Sequence, residues 1–143
     1  MEDWYAKAQA VFPELQGFLF RDNDYDRPMA LWIDLFYLLH TAYKESPSND
    51  DLIGRIYGYA AWSFEQPETD DVETDLSTAA AFGLIESIPL EKRAADDLYR
   101  WMSTESFDGF ENLFRYHLSD EQYRAFREDF MSKKKIYSGP SRF

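Results

Sequence analysis

Hydrophobic residues recur at helical spacing along nearly the whole chain, and no segment alternates like a half-buried strand. The clearest stripe contains four leucines, Leu31, Leu35, Leu38 and Leu39. Pro28 is well placed to begin that helix, and Ser46-Pro47 is expected to end it. The pattern predicts an all-α fold: a compact orthogonal bundle of about seven helices. A short HEAT-like stack is the alternative, although the aromatic helices show no fixed repeat period.

Prolines and capping residues predict the other boundaries. A first helix over about 2–12 is followed by a short piece restarting at Pro13, and residues 21–27 form a loop. Ser48 with Asp51 is expected to cap a two-sided buried helix that ends before Pro67. A further helix is predicted over 72–88.

The last third of the chain predicts three more helices, whose apolar faces begin at Leu90, Phe107 and Tyr123. Ser119 with Gln122 forms the capping-box pattern for the final helix. We expect one domain over 1–135, followed by a tail over 136–143 that packs on the surface or is mobile.

The segment from Trp62 to Asp75 is the strongest functional signal, because six acidic residues lie there without a basic one. It follows an aromatic helix in a chain that is 18% aromatic. An acidic surface over an aromatic core suggests a basic protein partner, with anchoring aromatic side chains. The candidate partner-binding residues are Tyr25, Trp62, Glu68, Asp70, Asp71 and Glu73. The alternative is a solvated loop whose acids stabilise the next helix N-terminus.

The net charge of −12 lies mainly in the first half, since residues 1–75 hold 16 acids and 5 bases. This balance argues against a nucleic-acid partner and against an anionic membrane surface, because both need clustered lysine and arginine. The basic run Lys133–Lys135 is interpreted as complementing the C-terminal end of a helix dipole.

The chain has no cysteine, which excludes a disulfide framework, a thiolate zinc site and a cysteine nucleophile. Its first residues lack a signal-peptide pattern, and its longest apolar stretch is interrupted by Asp34. We therefore expect a soluble cytoplasmic protein.

No motif for catalysis, a cofactor or a metal is found. A calcium loop starting at Asp71 would need glycine at the sixth position and an acid at the twelfth, where Leu76 and Phe82 stand. His40 and His117 lack a partner at metal-ligand spacing, so structural or surface roles are expected; a site built from His117 and distant acids stays open. Four glycines within helical patterns, Gly54, Gly58, Gly83 and Gly109, are interpreted as allowing tight helix crossings.

Two segments, 55–89 and 96–120, carry a resemblance: the helix ending at Trp62 and Gln66-Pro67, the acidic turn through Asp71, and the helix with its cap over 110–120. They resemble a family of small acidic all-helical bacterial proteins of unknown function. The resemblance implies a bacterial cytosolic origin and a non-enzymatic role. Such proteins are similar in character to immunity proteins that neutralise toxins.

Three functional classes follow. The first is a binding module that neutralises a toxin or another basic protein. The second is a scaffold or regulatory subunit with several partners. The third is an enzyme or small-ligand binder whose site lies in a cleft between helices, which would need convergent polar groups.

Overall fold

The structure, a computed structural model, describes residues 3–17 and 27–143 and contains no β-strand within those ranges. Its eight α-helices are α1 (Trp4–Val11), α2 (Pro28–Lys44), α3 (Asp50–Phe64), α4 (Leu76–Gly83), α5 (Lys92–Asp97), α6 (Thr104–Gly109), α7 (Glu111–Arg115) and α8 (Asp120–Ile136). Short 3₁₀ helices span Pro13–Gly17, Ile85–Leu90 and Leu98–Arg100. The predicted all-α class is confirmed, with eight α-helices in the described residues where about seven were expected.

The centre of the bundle is formed by α2, α3 and α4, each of which contacts the other two. The predicted leucine stripe of α2 is buried here. The α3 helix is buried on two sides, through Ile53, Tyr57 and Ala60 among others. The α5 helix contacts both α2 and α8, so helices far apart in the chain meet, as in a compact bundle and unlike a stack whose repeats contact only their neighbours.

The C-terminal helices are joined by an aromatic cluster around Phe107 of α6. The Phe107 ring centroid lies 4.2 Å from that of Phe130 and 5.2 Å from that of Phe126, both on α8. It lies 4.9 Å from Phe114 on α7. Large rings of this kind bury about 150–250 Å² each, so the cluster is a main source of stability for this part of the fold.

Several predicted boundaries need correction. The helix expected over 72–88 begins only at Leu76, because Asp75 caps it, and a 3₁₀ helix follows it. Asn49 caps α3 in place of Ser48, its side-chain oxygen accepting the Leu52 N–H at 3.2 Å. The capping box of Ser119 and Gln122 is confirmed.

The apolar faces predicted for the last third are partly wrong. Leu90 is 62% exposed and lies before α5, outside the core. The helix expected through Phe107 and Phe114 is divided into α6 and α7 at Phe110. The backbone N–H of Phe110 donates to the carbonyls of both Ser106 and Phe107, which tightens the last turn of α6.

The interpretation of the glycines as helix crossings holds at Gly83, while Gly54 is close to Trp101 and Arg142, which lie outside the helices. A Cβ atom on Gly83 would lie 2.3 Å from Cβ of Trp32, so α2 and α4 cross tightly there. One on Gly54 would lie 3.3 Å from the Trp101 ring. A Cβ atom on Gly58 or on Gly109 would meet nothing within 4 Å, so neither glycine is explained by a crossing.

The last residues of the chain pack against the bundle. The backbone N–H of Arg142 donates to the Trp101 carbonyl at 2.8 Å, and that of Ser103 donates to the Phe143 carbonyl at 2.7 Å. The Phe143 ring lies 5.6 Å from that of Phe64 on α3. Of the two expectations for the tail, surface packing is the one confirmed.

Candidate protein-binding site

The segment from Glu65 to Asp75, called the acidic loop below, connects α3 to α4. It begins where α3 ends before Pro67 and finishes at the residue that caps α4. Its side chains are exposed along 67–74. The two central helices therefore hold both ends of a segment that carries most of its charge in solvent.

Hydrogen bonds within the acidic loop fix its backbone around Asp71. The carbonyl of Asp71 accepts the hydroxyls of Thr69 at 2.8 Å and Thr74 at 3.0 Å. Its carboxylate accepts the backbone N–H of Glu73 at 3.0 Å, which is an Asx turn. Asp71 thus holds the loop together, a role beyond the surface charge predicted for it.

Asp75 anchors the acidic loop to α4. Its carboxylate accepts the backbone N–H of Thr78 at 3.0 Å and the Thr78 hydroxyl, and it also accepts the Thr69 N–H at 3.4 Å. These donors favour the charged form, and the Thr78 hydroxyl contributes most to holding the pKa of Asp75 below its ordinary value of 3.8. Burial opposes the shift without reversing it.

Replacing this anchor is expected to destabilise the protein in a pH-dependent way. We predict that Asp75→Ala lowers the free energy of unfolding by about 1–2 kcal/mol at neutral pH, the usual range for loss of an N-cap. Because the pKa of Asp75 is lowered on folding, its stabilisation is present above the unfolded pKa and is lost as the pH falls further.

Urea unfolding of the Asp75→Ala and wild-type proteins at neutral and acidic pH measures this difference. The difference in the free energy of unfolding between wild type and Asp75→Ala should narrow below about pH 4. The Asp75→Asn variant, which keeps a capping side chain without a titrating group, should differ in stability from Asp75→Ala by the same amount at both pH values. A difference between wild type and Asp75→Ala of equal size at both pH values would contradict the assignment.

The carboxylates of the acidic loop differ in their partners. Glu73 pairs with Arg27 at 3.3 Å on the surface. Glu68 and Asp70 are exposed and make no ion pair with any residue in the described ranges. The loop therefore presents unneutralised negative charge, which is available to a cationic partner.

Trp62, another predicted site residue, lines a different groove from Glu73. Trp62 is half-buried on α3, where Lys7 Nζ lies 5.0 Å from the ring centroid. It lines a groove of about 340 Å³ over Gly58, together with α1 and Arg142, whereas Glu73 lines a different groove between α2 and α4. Tyr25 lies outside the described residues.

Sequence reasoning missed the exposed apolar residues beside the acidic loop. Ile33 on α2, Val72 in the loop and Phe82 on α4 line the same groove as Glu73. A signal was present, because Ile33 falls off the buried leucine stripe of α2, and Phe82 falls outside the buried positions of α4. Their proximity depends on the crossing of α2 with α4, which local spacing does not show.

A separate polar cluster lies around Asp97, where α2, α3 and α5 meet. The Asp97 carboxylate accepts the Tyr43 hydroxyl at 2.6 Å, the Trp101 indole N–H at 3.0 Å and Arg100 Nε at 2.6 Å. Arg100 also donates twice to Asp50, at 3.0 Å each. The paired donors and acceptors tie these helices together.

Two tyrosines near this cluster differ in their hydrogen bonding. Burial is the main cause that raises the pKa of Tyr43, and the hydrogen bond to Asp97 raises that pKa by a smaller amount. Burial also raises the pKa of Tyr57, whose buried hydroxyl has no hydrogen-bond partner among the residues that the structure describes. Both phenols are therefore held in their neutral form, and Tyr57 contributes chiefly through its ring, stacked 5.6 Å from that of Trp101.

The two histidines each pair with one carboxylate. His40 Nδ1 contacts Glu91, and His117 Nε2 lies 3.2 Å from Glu86. Within the described residues, no three histidine, aspartate or glutamate side chains converge on a position that could hold a metal ion. Nor is any helix of the described chain both long and apolar enough to cross a membrane.

Comparison with protein families, with curated proteins and with solved structures gives no match to this chain. Function is therefore inferred from the geometry of the acidic loop and its surroundings.

Proposed function

We propose that this chain is a cytoplasmic protein-binding module that neutralises a basic partner, in the manner of an immunity protein or antitoxin. The observation that carries the proposal is the acidic loop itself. Its backbone is fixed by internal hydrogen bonds, while Glu68 and Asp70 stay exposed and unpaired within the described chain. A fixed array of carboxylates is suited to meet a complementary array of lysine and arginine side chains.

Preorganisation favours this role energetically. Ordering a loop on binding opposes association, so a loop already held by its own hydrogen bonds loses less entropy. Exposed charges also accelerate encounter with an oppositely charged protein, and salt weakens that effect. We therefore expect an association rate that falls as ionic strength rises.

The net charge of the whole chain supports the same partner class. At −12, the protein repels nucleic acids and anionic membranes at long range and attracts basic proteins. The loop concentrates that charge at one place between two core helices. This concentration favours a defined interface over diffuse attraction.

Neutralising the loop should weaken partner binding. The test variant is Glu68→Gln, Asp70→Asn and Glu73→Gln, which leaves Asp71 and Asp75 to hold the loop. We expect affinity for the basic partner to fall by about tenfold or more, with most of the loss at low salt. The partner is captured from native host lysate, identified by mass spectrometry and purified for calorimetry.

A matched control removes equal charge elsewhere. Glu105, Glu121 and Glu128 are exposed on α6 and α8, and their replacement by glutamine lowers the net negative charge by the same amount. This control should change affinity by less than about threefold. Equal weakening by both variants would show that total charge matters and would contradict a binding role for the loop.

A further inference from the structure

An apolar groove runs beside the acidic loop, between α2 and α4. This α2–α4 groove has a volume of about 430 Å³ and is lined by Met29, Ile33, Val72 and Phe82 among others. It continues past Ile33 and Phe82 into a second depression of about 270 Å³ toward Ser87. The two depressions share their central residues and form one continuous surface.

Exposed apolar side chains are concentrated at this groove. Of the seven large hydrophobic side chains exposed in the described residues, Ile33, Val72 and Phe82 line it. Tyr37 lies on the same face of α2, one turn from Ile33. Isolated exposed apolar residues are ordinary, whereas a cluster beside a groove is typical of an interaction surface.

Negative charge borders the groove on the side of the loop. Val72 is 70% exposed and stands between Asp71 and Glu73 in the chain. Glu73 and Arg27 both line the groove and pair with each other, so the net negative charge beside the groove comes from the other exposed carboxylates of the acidic loop, Glu68 and Asp70 among them. The surface therefore combines an apolar floor with an acidic loop at one side, which complements a ligand that has one apolar and one cationic face.

We infer that the α2–α4 groove binds one amphipathic cationic α-helix of the partner; this inference rests on the proposed function. Apolar side chains at helical spacing lie over Ile33 and Phe82, and lysine or arginine side chains lie against the acidic loop. This is helix-in-groove recognition, in which residues at i, i+3 or i+4, and i+7 are the anchors.

The described fold favours a helical occupant over an extended one. No sheet edge is present in the described residues to pair with an extended backbone, whereas a helix satisfies its own backbone hydrogen bonds. A second copy of this chain is disfavoured as the occupant, because both copies would carry a charge of −12.

A synthetic peptide provides the probe. An amphipathic lysine–leucine helix of about 16 residues would extend about 24 Å, and a scrambled peptide of the same composition removes the apolar face. Fluorescence anisotropy should show binding of the amphipathic peptide at least about tenfold tighter than the scrambled one. Equal binding of both peptides would overturn the inference.

Groove variants locate the binding site. Val72→Ser and Phe82→Ser remove exposed apolar groups, so helicity by circular dichroism should stay unchanged. Each should weaken binding of the amphipathic peptide by about fivefold or more. The control Ile136→Ser removes an exposed apolar residue on α8 and should leave affinity unchanged.

The outcomes separate this inference from the proposed function. If neutralising the acidic loop weakens binding but the groove variants do not, the helix inference is overturned and a charge-based binding role stands. If neither change weakens binding, both the helix inference and the proposed function are contradicted. Light scattering that shows a dimer, dissociated by Phe82→Ser, would identify a second copy in the groove and overturn the inference.

Discussion

Replacing Phe107 with alanine is expected to lower the free energy of unfolding by about 3–5 kcal/mol, the range for loss of a buried aromatic ring. Phe107 is fully buried, and its ring contacts residues on both α7 and α8. Its removal leaves a cavity at the point where these helices meet. A loss of this size is a large fraction of the stability of a typical domain.

Urea unfolding followed by circular dichroism measures the effect. Tyr116→Ala is the control, because Tyr116 is 73% exposed and its loss should change stability by less than about 0.5 kcal/mol. Phe107→Leu retains most of the apolar volume, so its loss of stability should lie between those of Phe107→Ala and Tyr116→Ala. A Phe107→Ala protein as stable as the control would contradict the packing of α8 described above.

Adding one methyl group at Gly83 is expected to destabilise the protein by about 3 kcal/mol, at the upper end of the usual range for overpacking. The new Cβ atom would lie 2.3 Å from Cβ and 2.8 Å from Cγ of Trp32. Trp32 is buried, and these atoms stand next to its backbone, so α2 and α4 would have to separate. The lining of the α2–α4 groove would shift with them.

The same substitution at Gly58 should have the opposite effect and stabilise the protein. A Cβ atom there meets nothing within 4 Å, so Gly58→Ala gains helix propensity without a clash. We expect an increase in stability of about 0.5–1 kcal/mol. Thermal unfolding of both variants checks the pair, and destabilisation of equal size at the two positions would show that the described helix contacts are wrong.

The helices could be predicted where burial and local capping agree. The leucine stripe of α2 and the capping box of α8 are both local patterns, and both appear where expected. The cap of α3 could not be chosen locally, because Ser48 and Asn49 are both suitable capping residues. The backbone N–H of Asn49 donates to the Ala42 carbonyl, a contact across the turn that favours Asn49.

The position of a helix boundary explains the misplaced Leu90. It is predicted to begin the apolar face that continues through Ala94 and Leu98, and both of those residues are buried. Leu90 is instead the last residue of the 3₁₀ helix Ile85–Leu90, and α5 begins only at Lys92. Leu90 therefore lies outside the helix whose buried face it was expected to share.

The candidate site was predictable in charge and not in shape. The sequence itself places the acids of the loop together. Stabilisation of the next helix N-terminus is one role expected for these acids, and Asp75 caps α4. The contacts of Asp71 within the loop were not expected, and the groove depends on the crossing of α2 with α4. Trp62, chosen as an aromatic anchor from its place at the end of α3, lines a different groove.

We propose that the acidic loop is the surface on which a basic partner binds. Hydrogen–deuterium exchange of this protein, alone and with its purified basic partner, locates that surface. We predict that backbone amides from Glu65 to Asp75 exchange more slowly in the complex, together with those of α4. Slowed exchange elsewhere, with the acidic loop unchanged, would contradict it.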